Sequence, residues 1–188
     1  MTSTIEQIKT FADHCHGEQK RKYSGDRYIV HPIRVMETCR NYTNDITVLA
    51  AALLHDVLED TPVTKEEIKQ FLETIIDPEN ASRTVRIVEE LTDVFIKENF
   101  PNLKRKKRRA KEALRLGTVS SEAQTIKYAD IIDNAVDMSA YDKNFAPLYL
   151  SECKDILKNM TRGNAELYQR ALQVVEDCLN KFERKQKF

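Results

Sequence analysis

His55 and Asp56 stand side by side near the end of an apolar run, Ile46 to Leu58, and a second acidic pair, Glu59 and Asp60, follows within one turn. Neighbouring residues on a helix point roughly 100° apart, close enough for both to reach one cation at the helix edge. Glu59 lies four residues after His55 and Asp60 four after Asp56, and residues four apart share a helix face. The stretch thus offers two metal ligands with two further carboxylates one turn on. A hydrolase that activates water at a divalent cation needs that combination. A polar cluster at a helix end is commonly no more than a solvated terminus. Here the helix that carries it is nearly all apolar, which predicts burial. Two more polar residues interrupt apolar helical patterns elsewhere: His31, before Pro32, and Asp130, after Ala129. His31, His55, Asp56 and Asp130 supply two imidazoles and two carboxylates, a mixed donor set suited to Mn²⁺, Fe²⁺ or Zn²⁺. Glu59 and Asp60 are the candidates for orienting or deprotonating the water.

The elements that must position these groups read as helices nearly throughout. A first helix is expected from about Thr4 to Lys22, with Ile5, Ile8, Phe11 and Ala12 at helical spacing. A loop through Ser24, Gly25 and Asp26 leads to a second helix starting at His31 and Pro32. Asn44 or Asp45 caps a central helix, about Ile46 to Glu59. Thr64 with Glu67 forms a capping box, and Pro78 opens a helix that turns Val85, Val88 and Leu91 inward. Residues from Thr118 to Glu122 lead into a helix over Ala123 to Met138. Pro147 opens another, Leu148 to Met160, and Gly163 or Asn164 separates it from a C-terminal helix ending near Lys181. No segment alternates with period two for long enough to argue for a sheet.

Composition bounds the answer. At 188 residues the chain fits one domain with a sizeable core. A 41% apolar and 32% charged content is that of a soluble globular protein, and four Gly with no Trp suits helices with short connections. Zero net charge supplies no global field toward nucleic acid or a membrane surface. No apolar run approaches the roughly 20 residues of a membrane span, and the N-terminus lacks the basic and apolar regions of a signal peptide. Cys15, Cys39, Cys153 and Cys178 are scattered, which points to reduced thiols in the cytoplasm.

Four blocks, in order over about residues 8 to 160, carry a family resemblance. His16, Gln19, Arg21 and Lys22 match His-x-x-Gln-x-Arg-Lys; Tyr28, Ile29, His31 and Pro32 match Tyr-Ile-x-His-Pro; Ala51 through Thr61 match Ala-Ala-Leu-Leu-His-Asp-Val-x-Glu-Asp-Thr; Lys127, Ala129, Asp130 and Asn134 match Lys-x-Ala-Asp followed by Asn. The chain resembles the HD-domain phosphohydrolases, and more closely the hydrolase domain of the RelA/SpoT enzymes and the stand-alone small alarmone hydrolases. The resemblance implies a single all-α HD-domain helical bundle over 1–188, with its core at about 4–160 and a C-terminal helix at about 163–184. It implies His31, His55, Asp56 and Asp130 as ligands of Mn²⁺ and Glu59 and Asp60 as the catalytic acids. It places Arg21 and Lys22 in the nucleotide pocket. Asn134, one turn after Asp130, is positioned to bond ribose or phosphate, and Tyr149 to contact the ligand or fill the core. His14 and His16 read as structural. The implied reaction removes the 3′-pyrophosphate of guanosine 3′,5′-bis(diphosphate), ppGpp or pppGpp, yielding GDP or GTP and pyrophosphate. Ile131 and Asp133 replace an Arg and a His of the bifunctional enzymes, a departure expected to retune base selectivity.

The segment Thr92 to Gly117 holds a basic run from Lys104 to Lys111. A solvated helix, a nucleic-acid patch and a clamp over polyphosphate all fit such a run. Small alarmone hydrolases carry a Leu-x-Arg-Lys segment near the active site, matched by Leu103, Arg105 and Lys106, so Lys106 is a candidate substrate contact. The expected partner is a small phosphorylated nucleotide, with neither membrane nor nucleic acid; homo-oligomerisation is left open. Two rival functions stand beside this one: an HD phosphohydrolase for another nucleotide, such as an adenosine alarmone or NADPH, and a noncatalytic nucleic-acid or nucleotide-binding module.

Overall fold

Helix α3, Ile46–Leu54, shows best why this chain folds as it does. Nine residues are too few for a stable isolated helix, yet every residue from Thr47 to Leu54 is buried. Packing therefore holds it. The helices α1 (Thr4–His16), α2 (Val30–Arg40) and α6 (Pro78–Leu91) surround it, and α5 (Lys65–Glu73) packs on α6. Its start is set by Asp45, whose carboxylate accepts from the Thr47 N–H at 2.9 Å and meets Arg83 at 2.8 Å. The computed structural model describes residues 3–22 and 24–185. They form two compact units, 1–92 and 93–188, each with its own core.

In the first unit most helix boundaries follow local sequence chemistry. Ser3 caps α1, the Thr64–Glu67 capping box opens α5, and Asp77 with Pro78 opens α6. Two boundaries differ from expectation. Helix α1 stops at His16, because Gly17 adopts φ 51° and its N–H closes on Asp13. A left-handed residue ends a helix, and glycine takes that conformation without a Cβ clash. Arg21 and Lys22 therefore lie in a turn beyond the helix, where Lys20 and Arg27 form an isolated bridge. The expected central helix also breaks after Leu54, and a short α4, Val57–Asp60, follows.

The second unit contains α7 (Arg105–Leu116), α8 (Ser121–Tyr141), α9 (Ala146–Asn159) and α10 (Ala165–Lys185). Helix α9 packs against α7, α8 and α10, and α10 also lies on α8. Tyr128 of α8 is fully buried; its hydroxyl donates to the Met160 carbonyl at 2.7 Å. Gly163 passes so close that a Cβ there would stand 2.5 Å from the Tyr128 ring, which explains the glycine. The segment before α7 is fixed by Glu112, a buried carboxylate that accepts from the N–H groups of Val94 and Phe95 and pairs with Arg115. Among the described residues no strand forms, and no helix is long and apolar enough to cross a membrane. None of the four cysteines forms a disulfide.

Candidate active site

The break between α3 and α4 places His55 and Asp56. The His55 ring lies with Nδ1 2.8 Å from the Ala52 carbonyl, the group that the Asp56 N–H would bond in a continuous helix. A carbonyl only accepts, so Nδ1 carries the proton and Nε2 carries the lone pair. That lone pair lies 3.2 Å from Asp56 Oδ1. From the first turn of α2 comes His31, buried, with Nε2 3.5 Å from Asp56 Oδ2 and its ring centroid 5.2 Å from that of His55. Donor atoms of His31, His55 and Asp56 all lie within 4.8 Å of one another. Ligands about 2.0–2.2 Å from a shared ion stand about 3–4 Å apart, so the 3.2 and 3.5 Å separations fit a divalent cation. The donor chemistry, imidazole with carboxylate, suits a transition metal.

Around these three lies a second set of contacts, built on Tyr28 and Gln19, to which the sequence motifs gave no role. Tyr28 donates its hydroxyl to Asp56 Oδ2 at 2.8 Å. Burial, and then the Asp56 and Asp60 carboxylates, raise the pKa of this phenol above its ordinary value, so it is a donor at any working pH. Its ring leans on that of His16, 4.5 Å between centroids, and Arg21 lies over it at 5.7 Å. Gln19 joins His16 Nδ1 at 2.9 Å to Asp60 Oδ2 at 3.4 Å. Glu59 and Asp60 are exposed on α4, one turn past the proposed ligands.

Asp130 and Asn134 belong to the second unit, on α8. Asp130 is buried; its Oδ1 accepts from Asn134 Nδ2 at 2.6 Å, and its Oδ2 meets Lys127 Nζ at 2.8 Å. A buried carboxylate needs such compensation. Tyr149 lies close to the same carboxylate: burial, then Cys153 and Asp130, push its phenol well up. Ile131 is 1% exposed and belongs to the core of α8.

The basic run divides by residue type. Arg105 forks onto Glu152 at 3.0 and 2.7 Å and lies over Phe145. Arg108 binds the Leu103 carbonyl, and Arg109 pairs with Asp93 at 2.8 Å. Burial works against the Arg109 charge, but Asp93 and Glu152 outweigh it and raise the guanidinium pKa. These arginines fasten α7 within its unit, although Arg105 is exposed, as are Lys104, Lys106 and Lys107. Lys106 lines a cavity of about 530 Å³ with Arg105, Arg109, Leu148 and Glu152.

Residues 28–135 match the HD domain, more than half of the chain, with His31, His55, Asp56 and Asp130 all inside the matched stretch. The chain belongs to the HD-domain family. Among its relatives, the guanosine-3′,5′-bis(diphosphate) 3′-pyrophosphohydrolase MESH1 of Mus musculus is 30% identical over 175 residues, 89% of this chain and 90% of the relative. The protein of the same name from Homo sapiens is 30% identical over 84% of each. A solved structure described as a metazoan orthologue of SpoT that hydrolyses ppGpp superposes with a TM-score of 0.74 at 24% identity, covering 99% of this chain and 97% of that one. A second, from Listeria monocytogenes, gives 0.59 at 23% identity over 83% of this chain and 99% of its own. These two likenesses establish the all-α HD fold.

Proposed function

We propose that this HD-domain protein is a metal-dependent hydrolase that removes the 3′-pyrophosphate of guanosine 3′,5′-bis(diphosphate), ppGpp, or of its pentaphosphate, pppGpp, releasing pyrophosphate together with GDP or GTP respectively. The observation that carries the proposal is the gathering of His31, His55 and Asp56 donor atoms within 4.8 Å, followed at once by Glu59 and Asp60. Relatives that match along nearly their whole length and bear the name of that activity support it. The proposed ligand set is His31, His55, Asp56 and Asp130, and a match that runs from residue 28 to 135 through both units supports reading 1–188 as one HD domain. Mn²⁺ is the proposed cation, and the cytoplasm, where cysteines stay unbridged, the proposed compartment.

A cation held there supplies an acidified water and a counter-charge for the phosphate. The protein's own groups do the rest. His55, with its proton fixed on Nδ1, presents a neutral donor nitrogen. Glu59 and Asp60 orient the attacking water and take its proton. Arg21, Lys22 and Lys106 offer cations to the phosphates, and Asn134 and Tyr149, both close to Asp130, are the proposed further contacts to the nucleotide. Removing a cation that contacts phosphate forfeits a charge-assisted hydrogen bond, roughly 1.5–3 kcal/mol.

The test offers purified protein and Mn²⁺ a panel of guanosine and adenosine 3′,5′-polyphosphates, NADPH and deoxynucleotides, with products separated by chromatography. Pyrophosphate release should be fastest from the guanosine 3′-pyrophosphates. Arg21→Ala should raise KM there by about 10–150-fold, with metal content unchanged. Faster turnover of NADPH or of an adenosine compound would reassign the substrate. Salt-dependent RNA or DNA binding without turnover would replace the enzyme reading by a binding module.

A further inference from the structure

We propose that Tyr28 is a positioning residue for the metal centre: its hydroxyl holds Oδ2 of Asp56, so that Oδ1 faces the Nε2 lone pair of His55. The two contacts are 2.8 Å and 3.2 Å. An imidazole lone pair and a carboxylate oxygen repel each other at that distance unless a cation or proton lies between them. The carboxylate must therefore be held from its other side, and a phenol hydroxyl, an obligate donor near neutral pH, does so. Asp56 needs a hold more than most ligands, because it sits at the break between α3 and α4 and its side chain is 18% exposed.

Tyr28 is fit for the task because it is itself fixed at three points. Its N–H donates to the Gln19 carbonyl at 2.9 Å, and its carbonyl accepts from the His31 N–H at 3.0 Å. Its ring rests on His16, whose Nδ1 is bonded to Gln19 Oε1 at 2.9 Å. One residue thus binds the backbone of the ligand His31 and the side chain of the ligand Asp56. It sets two donors from different helices in a common frame. Groups behind metal ligands commonly change metal affinity by about 10–100-fold when removed.

This inference rests on the metal reading above, and one titration separates the two. Full-length wild type, Tyr28→Phe, Asp56→Ala and the double variant are stripped of metal and titrated calorimetrically with Mn²⁺; Co²⁺ absorption serves as a second readout. The phenylalanine keeps the ring on His16 and removes only the hydroxyl. The expected result is a Kd about 10–100-fold weaker at unchanged stoichiometry, with kcat recovered at saturating Mn²⁺ and an altered Co²⁺ spectrum. In the Asp56→Ala background, Tyr28→Phe should change little, because the tyrosine acts through that carboxylate. Wild type that takes up no Mn²⁺ sinks the metal reading. Wild-type binding with an equal Kd in Tyr28→Phe, or losses that simply add in the double variant, sinks the role of Tyr28 alone. A Tyr28→Phe protein that fails to fold also overturns it, since the hydroxyl would then hold the fold rather than the ligand.

Discussion

Alanine at Glu59 or at Asp60 is expected to lower kcat by about 10²- to 10⁴-fold, the contribution of a general acid–base group, while Mn²⁺ content stays at the wild-type level. Both residues lie on α4 directly after the ligand pair, and both are exposed. Truncating an exposed side chain costs about 0.5 kcal/mol or less, so the rate should fall without a matching fall in Tm. The two positions need not be equal. Asp60 is tied through Gln19 to the buried His16, which restrains its carboxylate, and Gln19→Ala should reproduce a small part of the Asp60→Ala loss. Kinetics, metal analysis and thermal unfolding on the same preparations decide the matter. Wild-type rates in both variants would remove the acid–base role, and loss of metal in either would make that carboxylate a ligand.

What the sequence made legible was residue type at fixed spacing. An imidazole–carboxylate pair inside an apolar run marks itself, and caps such as Asp45, Thr64 and Asp77 are local chemistry that short spans encode. The break after Leu54 was not legible, because the apolar pattern runs straight on to Leu58. It arises when the His55 ring takes the Ala52 carbonyl, a choice that no periodicity records. Gly17 was a visible stop signal, yet the polar residues after it fit an exposed helix equally well, and only the positive φ settles the boundary. The ion pairs that Arg105 and Arg109 make within the basic run depend on Asp93 and Glu152, each set by packing within the second unit. Tyr28 and Lys127 stood in quoted motifs, but a hydroxyl 28 residues from its acceptor acquires a role only when the fold brings them together.

His55→Ala is expected to abolish Mn²⁺ binding in the working range, and turnover with it. The loss should exceed the 10–100-fold of an outer contact, because the change deletes a donor atom instead of misaligning one. Excess Mn²⁺, which should restore Tyr28→Phe, should fail to restore His55→Ala. The fold should survive: without the ring on its carbonyl, Ala52 can accept from the Asp56 N–H and let α3 run into α4, so far-ultraviolet circular dichroism should keep its helical signal. Asp130→Asn carries the same logic to the second unit. Asparagine keeps an oxygen for Lys127, whereas alanine would leave that ammonium, 19% exposed, without its carboxylate, a change that costs about 3–5 kcal/mol in a buried pair. If Asp130 is the fourth ligand, Asp130→Asn binds Mn²⁺ far more weakly and loses turnover while its Tm stays close to wild type. Wild-type Mn²⁺ affinity in Asp130→Asn would confine the ligand set to His31, His55 and Asp56.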